Sequence, residues 1–325
     1  MPLIEKSNYV APSRFFQNPH ISTIYLGRFR KTIRPDYQRE RLELEDGDFL
    51  DVDYKIQSKE VAIILCHGLE GASDRAYNNT SANYFLEKNW SVFAWNNRSC
   101  SGEMNRLPVL YHHASVDDLD RIVQFVREKG FQEIFLLGFS MGGAQVMNYL
   151  ARKNENNWIK AGVAISTPIH LKDSVESLKR GFNRVYLKNF TIKISRKLRE
   201  KRQQFPELID WSKVAKIKTF DEVDDYFTAP LHGFQDKEDY YRKASPDYTM
   251  ELIKTPVLVI NAWDDPFLGE NCFPIEFAKN HPNIYLETPK NGGHCAFPMK
   301  NSPYSYSEVR GFEFFESIKR NRKFS

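Results

Sequence analysis

The chain has 325 residues, which is enough for one large domain with a sizeable core, or for one domain that carries an insertion. Its 41% apolar and 27% charged residues are typical of a folded globular protein, and the net charge of +4 is modest. No segment approaches the ~20 apolar residues of a membrane span, and residues 1–13 contain no run long enough for a signal peptide. We therefore expect a cytoplasmic protein with no transmembrane segment.

The first predicted element is a hairpin, because residues 39–56 alternate polar and apolar side chains around Asp46-Gly47. Apolar runs then recur, separated by stretches of helical length and periodicity. The predicted strands are 61–66, 90–95, 134–139, 160–166, 256–262 and 284–286, and the predicted helices are 76–88, 116–129 and 141–153. Strands that alternate with helices indicate an α/β protein whose mostly parallel central sheet has helices on both faces.

The alternation stops after residue 166 and resumes only near residue 256. The intervening sequence reads mostly as helix, with shorter helices predicted at 221–228 and 237–243. Its apolar stripe consists of Val175, Leu178, Phe182 and Val185, continued with a phase shift by Leu187, Phe190, Ile194 and Leu198. We interpret residues 168–250 as a helical cap inserted into one core formed by residues 1–167 and 251–325.

Most of the positive charge lies in this cap. Residues 171–202 contain 11 Lys and Arg against three acidic residues, and we place the basic side chains opposite the apolar stripe. This face is either only solvated, or it meets anionic lipid head groups in a weak peripheral membrane contact, or it binds an acidic substrate such as a nucleotide thioester. No RNA- or DNA-binding signature accompanies it, so we expect no nucleic-acid partner.

The most specific motif is Gly138-Phe139-Ser140-Met141-Gly142, between an apolar strand and a predicted helix. A G-x-S-x-G pattern in a strand–turn–helix context is typical of a nucleophile elbow. The glycines permit a sharp turn, which lifts Ser140 clear of the sheet. The turn also places the Met141 N–H at the start of a helix, where backbone donors face an incoming negative charge.

A serine nucleophile needs a base and a carboxylate that orients the base. The predicted base is His294, which follows two glycines in a loop after a strand. The predicted acid belongs to the adjacent pair Asp264-Asp265, where the spacing from the preceding strand favours Asp265 and leaves Asp264 as the alternative.

The mechanism also needs donors for an oxyanion. The loop His67-Gly68-Leu69-Glu70-Gly71 follows a strand end, and we expect the Leu69 N–H to form the oxyanion hole with the Met141 N–H. We interpret His67 as a residue that shapes this loop.

Neither a metal nor a cofactor is expected. The adjacent His112 and His113 could suggest a metal site, but adjacent residues seldom converge on one ion and no carboxylate has a supporting spacing. The four cysteines lie far apart and form no C-x-x-C pair, which argues against a zinc site and a disulfide framework. They are Cys66, Cys100, Cys272 and Cys295.

Further segments carry a family resemblance over nearly the whole chain. They are residues 18–24 (NPHISTI), 39–48 (RERLELEDGD), 97–103 (NRSCSGE), 105–108 (NRLP), 110–112 (LYH) and 183–186 (NRVY). With the elbow, they make the chain similar to the YheT-like branch of the α/β-hydrolase superfamily, relatives of the embryogenesis-associated hydrolases. The resemblance implies the α/β-hydrolase fold, with Ser140 as nucleophile, an aspartate of the 264–265 pair as acid and His294 as base. The family usually has glycine where this chain has Ser99, which concerns only the shape of that loop.

The motif and the resemblance together predict a serine ester hydrolase, a carboxylesterase that cleaves a small-molecule acyl ester through a Ser-His-Asp triad and an acyl-enzyme. One alternative is an acyltransferase, which passes the acyl group to an alcohol. Lipase, phospholipase and thioesterase activities are further alternatives, and a non-catalytic binding protein with a hydrolase fold is the last. Acyl chain length, leaving group and oligomeric state stay open at this point.

Overall fold

The computed structural model of the protein describes residues 3–153 and 157–322. The predicted core ranges also include residues 1–2, 154–156 and 323–325, which lie outside the described residues. Within the described part, nine strands form one sheet in the order β1-β9-β8-β7-β6-β4-β5-β3-β2. The strands are β1 (Leu3–Ile4), β2 (Gln38–Glu43), β3 (Phe49–Lys55), β4 (Val61–Cys66), β5 (Ser91–Asn96), β6 (Glu133–Phe139), β7 (Ile159–Ile165), β8 (Val257–Ile260) and β9 (Ile284–Glu287).

Along this order the strands pair in parallel from β1 to β5, and β3 pairs antiparallel with both β5 and the edge strand β2. All residues of β4, β5 and β8 are buried, as expected for strands covered on both faces. The predicted mostly parallel central sheet is thus confirmed. Parallel topology also brings the carboxyl ends of the central strands to one edge, where ligands bind in open α/β sheets.

Helices cover both faces of the sheet. The α-helices are α1 (Pro19–Ile24), α2 (Ala76–Glu87), α3 (Val116–Glu128), α4 (Met141–Arg152), α5 (Leu171–Leu178), α6 (Arg184–Gln204), α7 (Trp211–Val214), α8 (Phe220–Val223), α9 (Ala229–Leu231), α10 (Lys237–Ala244), α11 (Ile275–Asn280) and α12 (Tyr306–Arg322). On one face, α3, α4 and α11 share an apolar cluster with the sheet. On the other face, α2 and α12 form a second cluster around Phe85, Phe135 and Phe315. No helix in the described ranges has the length and apolar character needed to cross a membrane.

Helices α5 to α10 all lie between β7 and β8, where the sequence predicts an inserted cap. They have an apolar cluster of their own, which includes Leu187, Ile194 and Leu198 of α6 with Phe220 and Phe227. Phe267, from the loop after β8, joins the same cluster, so these inserted helices pack directly onto the edge of the sheet where the strands end.

The prediction of the cap stripe is wrong at two residues. Phe182 and Val185 are 50% and 57% exposed, whereas Leu187 is buried. A 3-10 turn at Gly181–Asn183 separates α5 from α6, and Gly181 has a φ of +48° that a side chain disfavours. Because the turn interrupts the helix, the apolar face of α5 does not run on into the first turn of α6.

The expectation that all basic residues of α6 face outward is also wrong. Lys201 is fully buried, and its Nζ donates hydrogen bonds to the carbonyl oxygens of Asn105 and Leu107. Burial lowers the pKa of Lys201 to about 8. Lys197 is buried as well and pairs with Glu70. Two lysines of the cap helix therefore bind loops of the core, because each finds an acceptor that offsets its desolvation.

The loop after β5 is held by Arg98, whose guanidinium group donates to both carboxylate oxygens of Asp118 at 2.9 and 2.7 Å. It also donates to Asp46 and Asp48 of the β2–β3 hairpin. The next residue, Ser99, has a φ of +60°, the left-handed conformation that glycine adopts most easily. The serine that replaces the family's glycine therefore keeps the glycine-like backbone shape.

Candidate active site

The turn at Ser140 joins β6, in the middle of the sheet, to α4. Ser140 has φ and ψ of +54° and −120°, which is a strained conformation for a residue with a side chain. Its N–H donates to the Ile165 carbonyl of β7 at 2.8 Å, and its own carbonyl accepts from the Gly143 N–H at 2.9 Å. Strand pairing on one side and the first helical turn on the other thus fix the strained turn.

The two glycines of the motif are required by close backbone approaches. A Cβ at Gly138 would collide with the backbone of Gly142, and a Cβ at Gly142 would collide with the Cys66 carbonyl at the end of β4. Neither obstacle can rotate away, because both are backbone atoms. The elbow therefore depends on glycine at these positions for contact between the start of α4 and the end of β4.

The predicted base and acid lie in direct contact. His294 Nδ1 is 3.0 Å from both carboxylate oxygens of Asp265. An ionised carboxylate can only accept, so Nδ1 carries the proton and Nε2 is left as the basic nitrogen. Burial lowers the pKa of His294, but the charges and hydrogen bonds of Asp265 and Cys295 together outweigh burial and raise this pKa above the usual histidine value. The Asp265 carboxylate itself accepts from the Phe267 N–H at 2.9 Å, which fixes its orientation.

Asp264, the alternative acid, has a different contact set. Its carboxylate accepts from the Gly293 N–H at 3.0 Å and from Asn291 Nδ2 at 3.1 Å. Asp264 therefore binds the backbone of the loop that carries His294, and it makes no hydrogen bond to the imidazole within the described residues. Of the two adjacent carboxylates, Asp265 therefore contacts the His294 ring, and Asp264 contacts the loop that carries it.

The His294 loop has further anchors that the sequence analysis did not identify. The His294 N–H donates to Thr23 Oγ1 at 2.9 Å, and the Cys295 N–H donates to Ser166 Oγ at 2.8 Å. Gly293 lies against α1, where a Cβ would come within 2.7 Å of the Pro19 carbonyl oxygen. The 18–24 segment, noted only for its resemblance, thus contacts the loop of the candidate base.

Ser140 and His294 both lie in the wall of one pocket beneath the cap. No hydrogen bond joins the Ser140 hydroxyl to the His294 ring in the part of the chain that the structure describes. Such bonds are often long in ligand-free enzymes and shorten when substrate binds. The imidazole ring stacks on Phe267 with centroids 4.0 Å apart, which limits its rotation.

His67 has the loop-shaping contacts expected of it. It is fully buried, and its Nε2 accepts the Asn97 N–H at 3.0 Å. Its Nδ1 therefore carries the proton and donates to the Gly68 carbonyl at 2.7 Å. Burial lowers the pKa of His67 to about 4, so the ring is neutral at physiological pH.

The two predicted oxyanion donors are at the same end of the site. Leu69 and Met141 both line the pocket, and neither N–H donates a backbone hydrogen bond to an acceptor among the described residues. Met141 is the first residue of α4, so the helix start directs its N–H toward incoming negative charge. Gly68 packs against Ser140, because a Cβ added there would lie 3.2 Å from the Ser140 Cβ.

Glu70 fixes the loop that carries Leu69 through contacts with three other residues. Its N–H donates to the Tyr111 hydroxyl at 2.9 Å, and that hydroxyl donates back to Glu70 Oε1 at 2.6 Å. Lys197 Nζ, from the cap, reaches the same Oε1 at 2.8 Å, with both side chains buried. The Glu70 carbonyl accepts from Arg75 at 3.1 Å. The cap helix is thus bonded to the loop of a candidate oxyanion donor.

The rest of the pocket wall is mostly apolar and comes largely from the cap. Its apolar side chains include Leu171, Val175, Leu178, Phe190, Ile194 and Leu198. A smaller polar part contains His112, His232 and Asp224, with the two imidazole rings 4.5 Å apart. Burial raises the pKa of Asp224 to about 7, and its carboxylate accepts hydrogen bonds from Thr228 and Tyr241.

No metal-binding cluster is found near His112 and His113. His113 Nδ1 instead contacts the Tyr240 hydroxyl at 2.9 Å. Among the residues with described placement, no group of three or more His, Cys, Asp and Glu could hold a metal ion.

A family profile described as the alpha/beta hydrolase fold matches residues 61–300. The chain belongs to this family. It is 29% identical over 293 residues to "Putative esterase YheT" of Escherichia coli (strain K12), covering 88% of this chain and 86% of that protein. It is 31% identical over 272 residues to "Phospholipase ABHD3" of Mus musculus, covering 80% of this chain and 66% of that protein. The predicted resemblance to the YheT-like branch is confirmed.

Solved structures are similar in fold. The Pyrococcus furiosus esterase Pf2001 superposes with a TM-score of 0.55 at 17% sequence identity, covering 97% of each chain. At this level of identity the likeness concerns the fold alone. Fold and relatives together place the protein among the hydrolases.

The close approach at the elbow predicts a large stability effect. Gly142→Ala should lower the free energy of unfolding by about 3 kcal/mol, because the new methyl group meets backbone that cannot move. Urea denaturation measures this change. The matched control is Gly311→Ala in α12, where an added Cβ has its nearest contacts at 3.6 Å and should be neutral or stabilising. Equal stability of Gly142→Ala and the native chain would contradict the tight elbow.

Proposed function

We propose that the protein is a serine ester hydrolase, a carboxylesterase with Ser140 as nucleophile, His294 as base and Asp265 as the orienting acid. The observation that carries the proposal is that His294, which lines the same pocket as Ser140, contacts Asp265 through its Nδ1. A strained serine at a helix start, a histidine with a fixed tautomer and two backbone donors without a partner among the described residues fit acyl transfer better than simple binding.

In this mechanism, Ser140 Oγ attacks the ester carbonyl carbon while His294 Nε2 takes the hydroxyl proton. Negative charge develops on the carbonyl oxygen, which the Leu69 and Met141 N–H groups stabilise. The tetrahedral intermediate collapses to an acyl-enzyme, and His294 returns the proton to the departing alcohol. Water then attacks the acyl-enzyme while His294 Nε2 takes its proton. The second tetrahedral intermediate releases the carboxylic acid, and the proton returns to Ser140 Oγ. Asp265 holds the ring and stabilises the imidazolium throughout.

The substrate is proposed to be an acyl ester with a substantial apolar chain. Residues 168–250 act as the cap in this proposal, and side chains such as Val175, Phe190 and Ile194 would contact the acyl chain. A phospholipid is one candidate of this class, in keeping with the relative named as a phospholipase. Short esters would bind less apolar surface and should be turned over less efficiently.

Loss of the nucleophile gives the first functional prediction. Ser140→Ala should lower kcat by on the order of 10⁶, measured with p-nitrophenyl esters and acyl thioesters of increasing chain length. The matched control is Ser317→Ala in α12, whose hydroxyl donates to the Phe314 carbonyl and which should keep full activity. Substantial turnover by Ser140→Ala would refute the mechanism. Added short alcohols that divert the acyl group into new esters would instead identify an acyltransferase.

The two neighbouring aspartates should differ in their effect on pH dependence. Activity should rise with pH as His294 loses its proton, because only the neutral ring accepts the serine proton. Asp265→Asn removes the charge that raises the pKa of His294, so the rise should move to lower pH while kcat falls roughly 10⁴-fold. Asp264→Asn should leave the pH of this rise in place.

Profiles of kcat/KM between pH 5 and 10 measure the difference. A flat native profile would contradict His294 as the base. If Asp264→Asn, and not Asp265→Asn, lowered kcat and shifted the pH profile, the orienting acid would be Asp264.

The cap contact at Glu70 should affect kcat more than KM. Lys197→Met leaves the Glu70 carboxylate buried without its cation, which should release the Leu69 loop and lower kcat by up to about 10²-fold. Lys197→Arg should restore much of the rate. The control is Lys188→Met on the same helix, an exposed lysine with no ion pair among the described residues. A change in KM alone would mean that Lys197 does not position the oxyanion loop.

A further inference from the structure

Helix α6 presents a row of basic residues to solvent. The exposed ones are Arg184, Lys188, Arg196, Arg199 and Arg202. The helix contains a single acid, Glu200, and its ion pair within the described residues is the buried one between Lys197 and Glu70. The exposed cations therefore have no acidic partner in the described part of the protein, and their charge is available to an external anionic group.

Apolar side chains are interspersed with these cations. Val185 and Ile192 are 57% and 58% exposed, and they lie two helical turns apart on the side of the helix that also carries Lys188 and Arg196. After the helix, Leu208 and Trp211 are 54% and 44% exposed. The guanidinium groups of Arg199 and Arg202 lie over the Trp211 ring at 5.4 and 5.7 Å from its centroid. These exposed side chains do not belong to the apolar cluster of the inserted helices. The buried face of α6 in that cluster is formed by Leu187, Ile194 and Leu198.

Exposed cations mixed with exposed aliphatic and tryptophan side chains match the composition of helices that lie in a membrane interface. Anionic head groups attract the cations, while Val185, Ile192 and Trp211 can enter the boundary between head groups and acyl chains. A nucleic acid would use the charge but not the aliphatic groups. We propose that this face of the cap, formed by Val185, Lys188, Ile192, Arg196, Arg199 and Trp211, docks on an anionic lipid bilayer. We call it the docking face.

Only helix α6 separates the docking face from the pocket of the candidate active site. Phe190, Ile194 and Leu198, on the inner side of α6, line the pocket, so lipid and pocket would lie on opposite sides of a single helix about 10–12 Å thick. At the start of the helix, half-exposed Phe182 contacts Tyr186, which contacts Phe267, the ring stacked on His294. A role of this docking in catalysis rests on the proposed function, whereas binding to the lipid bilayer does not depend on it.

Co-sedimentation with vesicles tests the proposal. The full chain should pellet with vesicles that contain one third phosphatidylserine in phosphatidylcholine, and far less with phosphatidylcholine alone or at high salt. Each cation near an anionic surface contributes about fivefold to binding, so Arg196→Gln with Arg199→Gln should weaken it about 25-fold. The matched control, Lys254→Gln with Lys300→Gln, removes two exposed lysines outside the cap and should leave binding unchanged.

The apolar contribution is tested without a change in charge. Ile192→Ser should weaken vesicle binding severalfold, and circular dichroism should show that each variant keeps its helix content. Ser140→Ala should bind vesicles as the native chain does, so failure of the hydrolase mechanism and failure of the docking face are distinguishable. Equal binding to neutral and anionic vesicles would overturn the proposal. So would an equal loss in the Lys254 and Lys300 control, or tight binding of single-stranded RNA with none to vesicles.

Discussion

The candidate site depends on one close backbone contact, between the first turn of α4 and the end of β4. Gly142 lies where any side chain would collide with the Cys66 carbonyl, and Gly138 lies equally close to Gly142. This contact forces the chain into the strained turn at Ser140, and it brings the loop after β4 alongside that turn. The candidate nucleophile, the Met141 N–H and the Leu69 loop thus share one geometric cause. Burial of the sheet on both faces supplies the stability that maintains the strain.

The two halves of the site are anchored by different parts of the molecule. On the base side, the His294 loop is held by Thr23 in the N-terminal helix, by Ser166 after β7 and by the Asp264 carboxylate. On the side of the candidate oxyanion donors, the Leu69 loop is held through Glu70 by Tyr111 and by Lys197 of α6. The helices between β7 and β8 are therefore bonded to one half of the candidate site. A change in these helices could alter the Leu69 loop while leaving the contact between His294 and Asp265 intact.

Local patterns predicted the fold well, and long-range pairing explains the contacts that they missed. The strand and helix bounds around Ser140 agree within a residue or two, because burial on both faces gives these strands a continuous apolar sequence. Spacing after β8 favoured Asp265, which is the aspartate in contact with His294. Thr23 was not identified, since its contact joins residues 271 positions apart. Lys197 and Lys201 were predicted to face solvent because helical periodicity uses only the residue type. It contains no information about an acceptor that is distant in the sequence.

The central claim is that Ser140 becomes acylated with the help of His294. The most direct measurement is peptide mass mapping after reaction with a fluorophosphonate probe, which adds covalently to an activated serine. The account predicts one adduct, on the peptide that contains Ser140, and its loss in His294→Ala. An adduct on another residue, or turnover of esters by a protein whose Ser140 peptide stays unmodified, would contradict it.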